Sequence, residues 1–174
     1  MRLFLAPFGF LLLAASSLAN LTAQTPQGFV RLDRVTASRP TPNGIEISAG
    51  PALMQITALR DDVLRVRVGS TGQLPEDASW AVLPASRAAR AAVTPEESPT
   101  AVGFTTAKLH VQVQRAPFRL TVTDLAGHII SQDLSNRPIE FHGSAFRAYF
   151  ASPDDEHYFG LGDKPGPQIG RAHV

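Results

Sequence analysis

Cysteine is absent from this chain of 174 residues, which excludes disulfides, thiol nucleophiles and zinc held by thiolates. Stability must therefore come from packing and hydrogen bonds. Excess charge of one sign is equally missing: 16 Lys and Arg against 15 Asp and Glu leave a formal net charge of +1. The charges are interspersed, so there is no electrostatic footprint for nucleic acid. A neutral partner such as a sugar fits this balance better. The one long apolar stretch, Leu3 to Ala15, falls short of the roughly 20 residues that span a bilayer, and Pro7 and Gly9 interrupt it.

That stretch has a different use. Met1-Arg2 gives a positive start, the apolar run follows, and small residues take over at Ser16 and Ser17, the layout of a secretory signal. Residues 1–23 are read as that signal, with cleavage after Ala19 or Ala23. The mature chain is expected in the periplasm or outside the cell, with no membrane association after cleavage. Roughly 150 residues remain, enough for one domain with one core.

Beyond the leader the dominant period is two, and the apolar runs are short, β-branched and bounded by Gly, Pro, Asn or Asp. Leu64, Val66 and Val68 alternate with Arg65 and Arg67, the pattern of a half-buried antiparallel strand. Leu109, Val111 and Val113 alternate with His110 and Gln112. Phe118, Leu120 and Val122 form a third such run, which ends at Asp124-Leu125-Ala126-Gly127 before His128-Ile129-Ile130. That unit predicts a hairpin. Further strands are expected at 29–36, 45–48, 54–59, 102–106, 139–142 and 146–150, and Asn43-Gly44 suits a tight turn. Leu83 to Pro99 breaks the rhythm and reads as a surface connection with one helical turn. About ten short strands predict an all-β, antiparallel β-sandwich.

The chemistry-bearing residues give no catalytic set. The five histidines are not spaced as ligand pairs, and Asp154-Asp155-Glu156 lacks the ligand series and turn glycine of a calcium loop. No metal and no cofactor are expected. Gly160-Leu161-Gly162 is half a dinucleotide fingerprint, but no third glycine opens a helix, and Pro165 and Pro167 forbid one nearby. A Gly-x-Ser-x-Gly elbow is missing as well. The acidic residues Asp61, Asp62 and Asp124 sit at strand ends, where turns favour aspartate. Trp80, Tyr149, Tyr158 and Phe159 are read by default as core aromatics, while the two glycines after Phe159 allow a close backbone approach to a ligand or another domain.

The end of the chain has two parts. Tyr158 to Pro167 starts as an aromatic, Gly-rich strand with nothing after it to pair with. Ile169 to Val174 can be encoded by ATC GGA AGA GCA CAC GTC, a string common in sequencing-library adaptors, and residues 169–174 are read as a non-native tail.

Glu156-His157-Tyr158-Phe159-Gly160-Leu161-Gly162-Asp163-Lys164-Pro165-Gly166 closely resembles the segment that closes the N-terminal β-sandwich of glycoside hydrolase family 31, the α-glucosidase and α-xylosidase group. Val63 to Val68, Asp77 to Val82 and Pro117 to Gly127 resemble further elements of that domain in the same order. Asp163 stands where the family more often has Glu. The resemblance implies a galactose mutarotase-like sandwich over residues 24–168, preceding a catalytic (β/α)8 barrel that carries the nucleophile and general acid. It implies no catalytic residue in this chain. The partners it implies are that barrel, as part of the same polypeptide, and carbohydrate. Tyr158, Phe159, Gly160, Gly162, Asp163 and Lys164 are the substrate-edge candidates. The expected function is that of a non-catalytic N-terminal domain of a secreted retaining α-glycosidase. Its rival is a free-standing secreted carbohydrate-binding or surface-interaction sandwich.

Overall fold

The computed structural model describes residues 29–152, 158–159 and 169–170; residues 1–23, read above as a secretory signal, lie outside them. The described chain opens with β1 (Phe29–Arg31), β2 (Ala37–Thr41), β3 (Gly44–Ala49), β4 (Ala52–Arg60) and β5 (Val63–Gly69). A short helix, α1 (Pro84–Ala88), then leads to β6 (Thr94–Glu97), β7 (Ala101–Thr105), β8 (Leu109–Arg115), β9 (Phe118–Asp124) and β10 (Ile129–Gln132). The remaining strands are β11 (Glu140–His142), β12 (Ala145–Arg147), β13 (Tyr158–Phe159) and β14 (Ile169–Gly170).

Alternation converts directly into two packed layers. β2 to β5 form a four-stranded antiparallel sheet in chain order, and β10-β9-β8-β7-β6 form a five-stranded one. In the first, Ile45 pairs with Ile56 and Ile47 with Met54, all four at most 2 % exposed. In the second, Phe104 pairs with Val111 and Val113 with Leu120. Side chains of both sheets share one hydrophobic cluster, so the core lies between them. Burying each such side chain favours folding by roughly 1.5–3 kcal/mol. This is the antiparallel sandwich that the period of two predicts. A third sheet, β1-β11-β12, adds Phe141 to the core.

The turns hold the layers in register. Between β9 and β10, the Asp124 carboxylate accepts the N–H groups of Ala126 (2.9 Å) and His128 (2.8 Å), and Gly127 takes a φ of 88°. The expected hairpin is present. The β4–β5 turn is joined to the β7–β8 turn of the other sheet. Thr106 Oγ1 donates to the Asp61 carbonyl (2.7 Å) and accepts from the Leu109 N–H (2.8 Å), while Lys108 Nζ lies 2.9 Å from Asp62.

Several expectations need correction. The strand expected at 29–36 ends at Arg31, because Asp33 and Val35 bond instead to the far end of the β8–β9 hairpin: Phe118 N–H donates to the Asp33 carbonyl and Val35 N–H to that of Arg115. β2 was not anticipated, since Ser38, Arg39 and Pro40 carry no apolar alternation; its pairing with the buried β3 makes it a strand. The turn before β3 is Pro42-Asn43, with Gly44 already paired to Thr41. In the stretch read as a surface connection, α1 supplies the helical turn, but Thr94 to Glu97 is an exposed edge strand against β7. The strand expected over 146–150 is split into β12 and a single bridge between Phe150 and Asp133. Finally, Tyr158 and Phe159 do have partners, Gly170 and Ile169.

Candidate functional site

The substrate-edge candidates fall unevenly on the described residues. Tyr158 and Phe159 form β13, paired antiparallel with β14. Gly160, Gly162, Asp163 and Lys164 lie outside the described residues, between those two strands.

Of the carboxylates weighed at the strand ends, Asp61 and Asp62 form the β4–β5 turn, and Asp124 is the last residue of β9. Asp62 is held in its ionised form chiefly by the hydrogen bond from Lys108, and Asp124 by that from His128. Asp77, on the long connection after β5, is likewise held low by the guanidinium of Arg65 at 2.7 Å. The described histidines are each engaged by one carboxylate: His110 by Glu96 (2.9 Å), His128 by Asp124 (2.8 Å) and His142 by Glu140 (3.4 Å). No group of three metal-ligating side chains occurs among the described residues. No helix among them is long and apolar enough to cross a membrane.

Glu140 is the centre of a charged row across the third sheet. Arg31, Glu140 and Arg147 stand opposite one another on β1, β11 and β12, with both arginines 3.7 Å from the carboxylate. Burial works against the ionised carboxylate, but His142 and the two arginines outweigh it and hold its pKa below the usual value. The row ties the three strands of this sheet together.

The concave feature that sequence reasoning missed lies at the side of the sandwich. A groove of about 480 Å³ runs between β5 and the strands that follow β9. Val66, Val68, Leu120, Phe141, Phe146 and Phe150 line it, and its polar side chains are Asp133 and Ser144. Val66 was expected on the buried face of its strand. It is 44 % exposed, because β5 is the last strand of its sheet and its apolar face opens into the groove. Asp133 is 5 % exposed. Its Oδ2 accepts the Leu120 N–H at 2.9 Å, while Oδ1 has no hydrogen-bond partner among the described residues. Burial pushes its pKa up. No local signal marks this site: Asp133 lies among polar residues, Ser131-Gln132 before it and Ser135-Asn136 after Leu134, and its burial arises only from the packing of distant strands.

Trp80 also departs from expectation. Read as a core aromatic, it is wholly exposed, on the connection between β5 and α1. Val82 and Leu83 beside it are exposed as well. The Arg65–Asp77 contact holds this connection to β5 and the Arg87–Asp77 contact holds it to α1, both through polar groups, while its apolar residues face outward. Tyr149 is half-buried beneath the Arg137 guanidinium at 5.0 Å.

Among the described residues the sandwich is open on one side, along the groove beside β5. Residues 53–171 match the family model of the glycosyl hydrolase 31 N-terminal galactose mutarotase-like domain, and the chain belongs to that family. The family 31 dextranase of Flavobacterium johnsoniae, solved with glucose, shares the fold with a TM-score of 0.72 at 23 % identity. The likeness covers 80 % of this chain and 17 % of the dextranase. The cycloalternan-forming enzyme of Listeria monocytogenes, solved with a pentasaccharide substrate, gives 0.61 at 19 % identity over 77 % of this chain and 13 % of that one. The family 31 α-xylosidase of Xanthomonas citri gives 0.57 at 18 % identity, covering 71 % and 14 %. No curated protein matches the chain. The chain thus spans less than a fifth of the length of these enzymes.

Proposed function

We propose that this chain is the N-terminal, non-catalytic domain of a secreted, retaining α-glycosidase, and that it shapes one edge of the sugar site through the loop bearing Gly160, Gly162, Asp163 and Lys164. The observation that carries the reading is membership of the family 31 N-terminal domain, joined to a chain that matches only a small part of each enzyme it resembles. Solved relatives hold glucose and a pentasaccharide, which supports carbohydrate as the ligand class. An α-glucoside is the substrate expected of the longer polypeptide. Two carboxylates about 5–5.5 Å apart are needed for a retaining mechanism. In this reading the catalytic barrel of the same polypeptide supplies both.

Three measurements test it. DNA read beyond the codon for Gln168 should continue in frame into a catalytic domain; a stop codon there would point instead to a free-standing sandwich. The purified chain should show no turnover of α-glucosides, and turnover that survives repurification would overturn the reading. In the extended polypeptide, Gly162→Val should lower kcat/KM by about tenfold or more, since a β-branched side chain obstructs a tight backbone path. Asp163→Ala should mainly raise KM if the carboxylate meets the sugar in ground and transition state alike. Unchanged kinetics in both variants would reduce the loop to a connector.

A further inference from the structure

The outer face of the five-stranded sheet carries a hollow, separate from the groove beside β5. Val102, Phe104, Val111 and Val113 turn into the core, so the residues between them turn outward. Glu96, Gly103 and Gln112 stand opposite one another on β6, β7 and β8. Gly103 has no side chain, so the row is interrupted at its centre. A Cβ there would lie 1.9 Å from the Val111 carbonyl oxygen, and any larger residue would force β7 away from β8. The backbone therefore keeps the gap open, as a hollow of about 350 Å³.

Its walls are polar and held in place. Glu96 Oε1 accepts from the Thr105 hydroxyl, and Glu96 Oε2 lies 2.9 Å from His110 Nε2. The carboxylate is thus steadied from two sides with lone pairs left over. Gln112 is exposed, and its amide offers two donors and an acceptor beside it.

These groups narrow the ligand by its chemistry. An anion would meet Glu96 and Glu97 on the rim. A metal ion would find Glu96 and His110, yet no group of three metal-ligating side chains occurs among the described residues. A further strand is discouraged by the edge strand itself, since β6 carries two glutamates and Pro95, which has no N–H. An apolar molecule gains little, because the valines of the lining, Val102 and Val111, are buried in the core. A neutral ring bearing several hydroxyls suits all of these groups: one hydroxyl can donate to a charged acceptor, a second can exchange hydrogen bonds with an amide, and the volume is that of a small-molecule site.

We propose that this hollow binds one neutral pyranose unit of an oligosaccharide, with Glu96 accepting from one hydroxyl and Gln112 bonding to a second. The ligand class rests on the function proposed above; the site is a further one, formed by β6, β7 and β8 alone.

Titration of this chain with maltotriose and with isomaltotriose, read by amide NMR, tests it. At least one of the two sugars should give saturable shifts at Gly103, His110 and Gln112. Gln112→Ala and Glu96→Gln should each raise the Kd by about fivefold or more, with the Tm unchanged, because both side chains are exposed. No saturable shift at these residues with either sugar overturns the proposal, as does a Kd that both variants leave unchanged. Shifts confined to Gly160–Lys164 would assign the sugar to the loop, and shifts at His110 produced by Zn²⁺ but by neither sugar would make the hollow a metal site; each overturns it. A stop codon after Gln168 sinks the function and spares this inference, since binding is read in this chain alone. An extended enzyme active on α-glucosides, with no shift at Gly103 and Gln112, does the reverse.

Discussion

Asp133 is a residue whose contribution to stability falls as pH rises. Its carboxyl is buried and its pKa raised by that burial, so the folded state binds a proton more tightly than the unfolded one. Its stabilising share is therefore full below the unfolded pKa and is lost as pH rises through the folded pKa. Asp133→Asn keeps an oxygen to accept the Leu120 N–H and removes the charge. In the isolated chain this variant should be more stable than the wild type by about 1 kcal/mol at pH 7, with the gain vanishing toward pH 3. Urea titrations at the two pH values check it, and a gain that grows on acidification would contradict the assignment. Asp62, Asp77, Asp124 and Glu140 behave oppositely: their depressed pKa values give stability that is present above the unfolded carboxylate range and lost as pH falls through the folded values.

At the scale of elements, the two sheets are clipped at one end by Thr106. Its hydroxyl serves the Asp61 carbonyl on one turn and the N–H groups of Lys108 and Leu109 on the other. Thr106→Val preserves shape and removes these bonds, so it should destabilise by about 1–3 kcal/mol, read as a lower urea midpoint with an unchanged m-value. The strands on either side of this clip were legible because both sheets bury one face, so apolar and polar residues alternate along Ile45–Ser48, Met54–Ala58 and Leu109–Val113. Where pairing rather than burial makes the strand, the sequence is silent. β6 is exposed at every position and β2 at most, and their backbone hydrogen bonds to β7 and β3 leave no periodic trace. Trp80 and Val66 were misjudged for the converse reason. Apolar character signals burial only where a second layer exists to bury against, and here both face outward or into the open groove. The candidate loop at 160–164 rests on its glycines and its resemblance to the family and lies outside the described residues, whereas the groove brings together residues from 66 to 150 that no local pattern connects.

For the whole molecule, β1 matters out of proportion to its three residues. Phe29, Val30 and Arg31 pair with His142, Phe141 and Glu140, so the first and last thirds of the described chain meet in one sheet. Such a contact must pay the closure entropy of all the chain between Arg31 and Glu140 before it returns any energy. The nested hairpins β3–β4, β4–β5, β7–β8 and β8–β9 form between neighbours and carry most of the core. Val30→Ala should accordingly cost about 1 kcal/mol and act on the unfolding rate, with the refolding rate nearly untouched, because its native contacts form after the transition state. Stopped-flow chevrons decide it; a slowed refolding limb would place β1 in the nucleus. The temporal consequence reaches into synthesis. A ribosome delivers Phe29 long before His142, so β1 has no partner until all of β2 to β10 has been made, and the newborn polypeptide stays threadable for as long as that wait lasts.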